Sequence, residues 1–292
     1  MSRLNPFTHG VPIGVDVASI DKELSSLWKS AADALEGDTG SAVMRACTAN
    51  IIMYTEDENA TERYPSIVQE ITAERPARVI LVIGTPSSSE SSIDAWISAH
   101  CHVPVPGGKQ VCSEQITLLA RGETVQSVPN LILSLLVPDE PVILWFDGNI
   151  LYRKEIFQRQ LRVTDHFVFD SAHFEKPAEN ISELWEVMQT VQERPSLRPV
   201  SFGDLNWSRL LGWRELTAEL FDSPLNRERL FEIASIRITY EQERGTKASG
   251  LTQAMLFLGW LSARLGWKVA SGLEQEGERT LSVSLDRRGN PV

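Results

Sequence analysis

Five consecutive apolar residues, Val79, Ile80, Leu81, Val82 and Ile83, run into the breakers Gly84, Thr85 and Pro86. A strand with one wet face alternates between apolar and polar positions. A run with no polar position suits a strand covered on both faces, as in a parallel sheet flanked by helices. Val142, Ile143, Leu144, Trp145 and Phe146 repeat the pattern between Pro141 and the turn Asp147-Gly148. Two such strands commit the first half of the chain to an interior sheet.

Helical spacing surrounds these runs. Ile20, Leu24, Leu27, Trp28, Ala31 and Leu35 predict a helix over residues 19–36, ended by Gly37-Asp38-Thr39-Gly40. Tyr64, Ile67, Val68 and Ile71 predict a surface helix over 59–74, stopped by Pro76. Further helices are expected at 123–136, 150–160 and 181–192, and further strands at 42–54 and 166–170. Alternating helices and buried strands specify an α/β fold. Residues 93–103 alternate: Ile93, Ala95, Ile97, Ala99, Cys101 and Val103 share one face, and Asp94, Trp96, Ser98, His100 and His102 the other. With the turn segment 104–109 and a strand over 110–120 they form a β-hairpin, which makes the sheet mixed. Symmetric closure of the turn pairs Val103 with Gln110 and sets Cys101 opposite Cys112.

Two prolines in Arg194-Pro195-Ser196-Leu197-Arg198-Pro199 favour an extended linker. The expected domains are therefore an N-terminal α/β domain at 1–195, with an extended arm at 1–18, and a smaller α+β domain at 200–292. In the second, Ser223-Pro224 opens a short helix. Residues 233–240 alternate as a strand. Met255, Leu256, Phe257, Leu258, Trp260 and Leu261 make the helix over 252–265 apolar nearly all round, as a central helix would be. Short strands at 267–270 and 280–285 flank an acidic turn at 274–277.

The chain of 292 residues carries a net charge of −11, which argues against nucleic-acid or anionic-membrane partners. No run approaches the ~20 apolar residues of a membrane span. The N-terminus has no apolar signal core. With three cysteines, these features predict a cytoplasmic protein with reduced thiols.

The most reactive cluster is His100-Cys101-His102 with Cys112. Two histidines on one strand face, with a carboxylate from elsewhere, would suit a metal-dependent hydrolase. Cys101 points the other way, and no third ligand has metal-site spacing, so no metal is assigned. Cys101 and Cys112 are expected as a reduced pair able to act as a redox couple, and Cys47 as a core residue of the strand at 42–54. Ser87, Ser88 and Ser89 follow a buried strand, where a sugar phosphate or nucleotide could sit, yet no Gly-Lys-Ser/Thr or G-x-G-x-x-G accompanies them. No nucleophile elbow or catalytic triad is recognisable, and no cofactor is implied.

A second cluster carries no catalytic signature. Asp204-Leu205-Asn206-Trp207-Ser208-Arg209-Leu210-Leu211-Gly212-Trp213-Arg214-Glu215-Leu216 reads as a helical segment capped by Asp204. Trp207 and Leu211 share a face, as do Leu210 and Trp213, and Arg209 falls four residues before Trp213, in position to stack on its indole. Gly212 either weakens the helix or admits a close backbone neighbour. Trp and Arg are the residues that most often anchor protein interfaces; the same residues would equally serve as core and solvated rim.

Four stretches together resemble a known family: Ala99-His100-Cys101-His102 with Gln110-Val111-Cys112-Ser113-Glu114-Gln115-Ile116, Leu136-Val137-Pro138-Asp139-Glu140-Pro141-Val142, Asp204-Leu205-Asn206-Trp207, and Trp213-Arg214-Glu215-Leu216. Their order and spacing, from about Arg75 to Trp267, are similar to those of the glucose-6-phosphate dehydrogenase assembly proteins, OpcA. The resemblance implies a non-catalytic protein that binds glucose-6-phosphate dehydrogenase, promotes its active oligomer and raises its activity, at the entry to the oxidative pentose phosphate pathway. Longer photosynthetic members carry thioredoxin-targeted cysteines in a C-terminal region. The present sequence has none after Cys112, so a redox response is expected to use Cys101 and Cys112. From residue type and motif position, Trp207, Arg209, Trp213 and Arg214 are the expected anchors, with His100 and His102 on the hairpin as a second contact.

Overall fold

The computed structural model describes residues 13–35, 43–57, 59–103, 110–148, 159–193, 199–241, 249–276, 280–287 and 290–291. Two compact units are present: Met1–Phe169 with Glu186–Gly203, and Asp170–Trp185 with Asp204–Val292.

The first unit is built on a nine-stranded mixed sheet, consistent with the α/β expectation. Its elements are β1 (Ile13–Val15), α1 (Ile20–Leu35), β2 (Val43–Arg45), β3 (Asn50–Thr55), α2 (Ala60–Glu74), β4 (Arg78–Thr85), β5 (Ser92–His102), β6 (Gln110–Arg121), α3 (Val128–Leu135), β7 (Val142–Asp147), β8 (His166–Phe169), α4 (Pro177–Gln192) and β9 (Ser201–Asp204), of which α4 and β9 contribute residues to both units. The order across the sheet is β1-β5-β6-β4-β3-β7-β8-β9, with β2 also on β6. Strands β6, β4, β3, β7 and β8 run parallel. Every residue of β3 is buried, as is every residue of β4 except Thr85. The α2 helix lays Ala60, Tyr64, Val68 and Thr72 onto Ile51, Met53, Val79, Leu81 and Ile83. That spacing of four keeps one stripe of the helix against the sheet.

Several expected boundaries shift. The strand expected over 42–54 is two strands. β6 is longer than β4, and β2 pairs with its first residues, from Val43 opposite Gln110 to Arg45 opposite Cys112, before β4 takes over at Glu114. Cys47 therefore lies between strands, half-buried, with its thiol donating to the Ala49 carbonyl at 3.3 Å. Residues 13–15 of the expected arm pair with β5. The helix expected over 123–136 begins as a 3-10 turn over Gly122–Ser127. The turns at 37–40 and 104–109, most of the arm and of the helix at 150–160, and the linker core at 194–198 lie outside the described residues.

One feature of the core escaped the pattern reading. Glu114, on β6, is buried and receives both Nε and Nη2 of Arg78 at 2.8 Å, Nε of Arg45 at 2.8 Å, and the Trp28 indole N–H. Two guanidiniums and an indole satisfy the carboxylate, which makes burial of the charge tolerable.

The second unit holds α5 (Leu205–Arg209), α6 (Leu211–Leu220), α7 (Pro224–Arg229), α8 (Ser249–Leu265), β10 (Trp267–Val269), β11 (Glu274–Gln275), β12 (Leu281–Ser282), β13 (Leu285–Arg287) and β14 (Asn290–Pro291). The strands form small antiparallel sheets, β10-β13-β14 and β11-β12, so Glu274 and Gln275 are strand rather than turn. α8 is less central than its composition predicts. Thr252, Leu261 and Ser262 are buried, while Met255, Leu256, Phe257, Leu258 and Trp260 are only half-buried. Residues 233–240, expected as a strand, join no sheet among the described residues.

Candidate partner-binding surface

The Asp204 carboxylate caps α5, accepting the Asn206 N–H at 2.9 Å. The same carboxylate takes the Ser171 N–H at 3.0 Å and the Ser171 hydroxyl at 2.7 Å. Asn206, fully buried, donates to the Ser171 hydroxyl at 3.1 Å and accepts from Gln253 of α8 at 2.9 Å. Asp204, Ser171 and Asn206 satisfy one another and Gln253, so the network fixes the start of α5 to the Ser171 turn and to α8.

The stacking expected of Arg209 is made by Arg214, and on a different indole. Arg209 does not stack on Trp213; it forms a two-pronged pair with Asp170, at 2.8 and 2.7 Å. Arg214 supplies the stacking, its guanidinium 3.7 Å from the centroid of the Trp207 ring. The reason is a break in the helix at Leu210, where φ is −81° and ψ is 0°, so residues 209 and 213 do not share one helical face. Leu210 turns inward and is buried, whereas Trp213 turns out, and the expected Leu210–Trp213 face is lost. Leu211 is likewise exposed, away from half-buried Trp207. Burial pushes the Asp170 carboxyl up, but the Arg209 guanidinium and the Ala172 N–H outweigh it and hold it below the usual carboxylate range. The Asp170 hydrogen bond raises Arg209 in turn.

No residue of α6 is buried. Trp213, Leu216 and Leu220 are 66%, 62% and 59% exposed. Their spacing of three and four sets them in one stripe. A Cβ added at Gly212 would meet open space, so close backbone approach is not the role of this glycine. The far end of α6 is held by Asn226, whose amide donates to the Leu220 carbonyl at 2.8 Å. An open apolar stripe on a helix that follows the anchored α5 and is held at its far end has the form of a docking surface: large side chains, preorganised, with little left to order on binding.

The hairpin residues lie in the first unit. Cys101 and Cys112 face each other in the expected register and are joined by a disulfide, correcting the reduced pair expected. The antiparallel register itself brings them within reach, their Cα atoms being 4.1 Å apart. His100 shares a hydrogen bond of 2.7 Å with Gln115. Burial lowers its pKa despite that bond. No group of three metal-capable side chains occurs among the described residues, so none of these supplies a third ligand beside His100 and His102. The Ser88 region is closed on itself, with the Ser88 N–H on the Thr85 carbonyl and its hydroxyl accepting the Glu90 N–H.

Two family models match, described as the glucose-6-phosphate dehydrogenase subunit N-terminal domain, over residues 68–186, and C-terminal domain, over residues 200–292. The chain belongs to the OpcA family. It is 31% identical over 229 residues to a protein of Nostoc punctiforme provisionally named OxPP cycle protein OpcA, covering 77% of this chain and 46% of that one. Relatives with the same name in Synechocystis sp. and Synechococcus elongatus are 33% and 29% identical over 214 residues, covering 72% of this chain and 42% and 44% of theirs. The matched region thus spans less than half the length of these relatives. Among the described residues no helix is long and apolar enough to cross a membrane.

Proposed function

We propose that this chain is a non-catalytic assembly factor and allosteric activator of glucose-6-phosphate dehydrogenase, acting in the cytoplasm on the oxidative pentose phosphate route. The observation that carries the reading is the Trp213, Leu216 and Leu220 stripe, apolar and uncovered in the C-terminal unit. The family descriptions, which name a dehydrogenase subunit, support the choice of partner. Trp213 is the principal anchor. Trp207, Arg209 and Arg214 act behind it, holding the helix pair in shape. His100 and His102 offer a second contact on the hairpin.

The mechanism is differential binding. A ligand shifts an equilibrium between conformations or oligomers only by its affinity difference for them. A difference of about 1–3 kcal/mol changes the active population roughly 5–150-fold. Mixing the purified chain with its dehydrogenase should change both the oligomer mass and the substrate response. If neither moves, the proposal is wrong. Trp213→Ala should weaken association by about 2 kcal/mol, roughly 30-fold, as loss of an interface tryptophan does.

A further inference from the structure

Between the short 3-10 turn Leu230–Glu232 and α8 lies a segment, Ile233–Glu241, with the sequence of a strand and no sheet. Ala234, Ile236, Ile238 and Tyr240 fall on one side of an extended chain, and Ser235, Arg237, Thr239 and Glu241 on the other. No proline interrupts it. Its β-branched residues and period of two are those of strands with one covered face. Yet the segment pairs with none of the described strands, and its main chain forms no hydrogen bond with any described residue. It is not buried: Ile236 is 37% exposed, and Ser235, Arg237, Thr239 and Glu241 are exposed.

The segment is held at its end. The Glu241 carbonyl approaches Gly250 of α8 so closely that a Cβ there would lie 2.1 Å from it. Only glycine permits that passage. A run of open N–H and C=O groups with strand-forming side chains is what pairs with another sheet's edge.

We infer that Ile233–Glu241 adds as a strand to an open sheet edge of glucose-6-phosphate dehydrogenase, a main-chain contact separate from the α6 stripe. The inference rests on the proposed partner and names how it is gripped. Two things on the molecule favour that occupant over a second copy of this chain. The segment lies within the C-terminal region, residues 200–292, that matches the dehydrogenase-subunit model. Each copy also carries a net charge of −11, so self-pairing would bring like charges together.

Hydrogen–deuterium exchange of the full chain, alone and with the dehydrogenase, reads the main chain directly. Amides of 233–241 should exchange fast in the free chain and slow at least about tenfold in the complex, as amides entering a ladder do. Arg237→Pro removes one N–H that bonds to no described residue of the free chain. It should leave the melting temperature unchanged and weaken association roughly tenfold. Arg237→Ala, which keeps the N–H, should bind nearly as the parent does. A complex that forms with full affinity and leaves 233–241 unprotected overturns this inference while leaving the assembly function standing. Absence of any complex with the parent chain overturns both. Protection arising in the chain alone, with a dimeric mass that Arg237→Pro abolishes, overturns it by assigning the strand to self-association.

Discussion

Strand β4 and helix α6 are both rich in large apolar side chains, and the molecule treats them in opposite ways. From Arg78 to Gly84 every residue of β4 is buried. On α6 none is. β4 has neighbours on both edges, β3 and β6, and α2 packed on a face. α6 is fastened at its far end by a polar bond and left bare along its apolar stripe. The same chemistry serves stability where the chain supplies its own cover and, in the function proposed, recognition where it does not.

That contrast can be broken by mutation. Leu81→Ala should show the largest effect, costing about 2–5 kcal/mol in denaturant unfolding, because a cavity opens where the neighbours cannot collapse. A loss under ~1 kcal/mol would mean the sheet core is loosely packed. Asp204→Ala comes next. It removes the α5 cap and strands the buried Ser171 and Asn206 groups, for a cost of roughly 1–3 kcal/mol. Dehydrogenase binding should fall with it, since the helix pair loses its seat; unchanged stability would show that the Asp204 network is not what holds the helices.

Acid pH offers a smaller, graded test. The folded His100 has a lowered pKa, so the unfolded chain binds more protons on acidification. Its contribution is present above the ordinary histidine value of about 6.5 and is lost as pH falls below that through the folded value. Melting temperature should therefore drop on moving from neutral to mildly acidic pH, and His100→Gln should flatten that part of the profile. Equal slopes in parent and variant would remove His100 as the cause. The smallest stability effect belongs to Trp213→Ala, within about 0.5 kcal/mol, because an exposed side chain leaves no cavity. A Trp213→Ala chain as unstable as Leu81→Ala would return this indole to the core and erase the contrast.

The pairing of Arg209 shows why site reading from sequence stops short. Spacing placed Arg209 four before Trp213, but spacing presumes one unbroken helix. Leu210 breaks it, and Asp170, 39 residues away, offers a carboxylate that wins over an indole face. A bidentate charge-assisted pair is stronger than an exposed cation–π contact. The partner of a charged side chain is a long-range fact, and nothing near Arg209 in the chain announces it.

By itself, the sequence determined what is local and periodic: the buried run at 79–83, the strand at 142–146 (though its Ile143 and Trp145 are only half-buried, where an unbroken apolar run predicts cover on both faces), the α2 stripe, the hairpin that brings Cys101 opposite Cys112, and the cap at Asp204. Those follow from backbone geometry and the alternation or recurrence of apolar positions, which any short window contains. Tertiary structure alone decided which apolar surfaces are covered, which charges meet, as at Glu114, and whether a strand-forming segment such as 233–240 finds a sheet. Burial and pairing depend on what distant parts of the chain bring alongside, and that information is not held in any single stretch of residues.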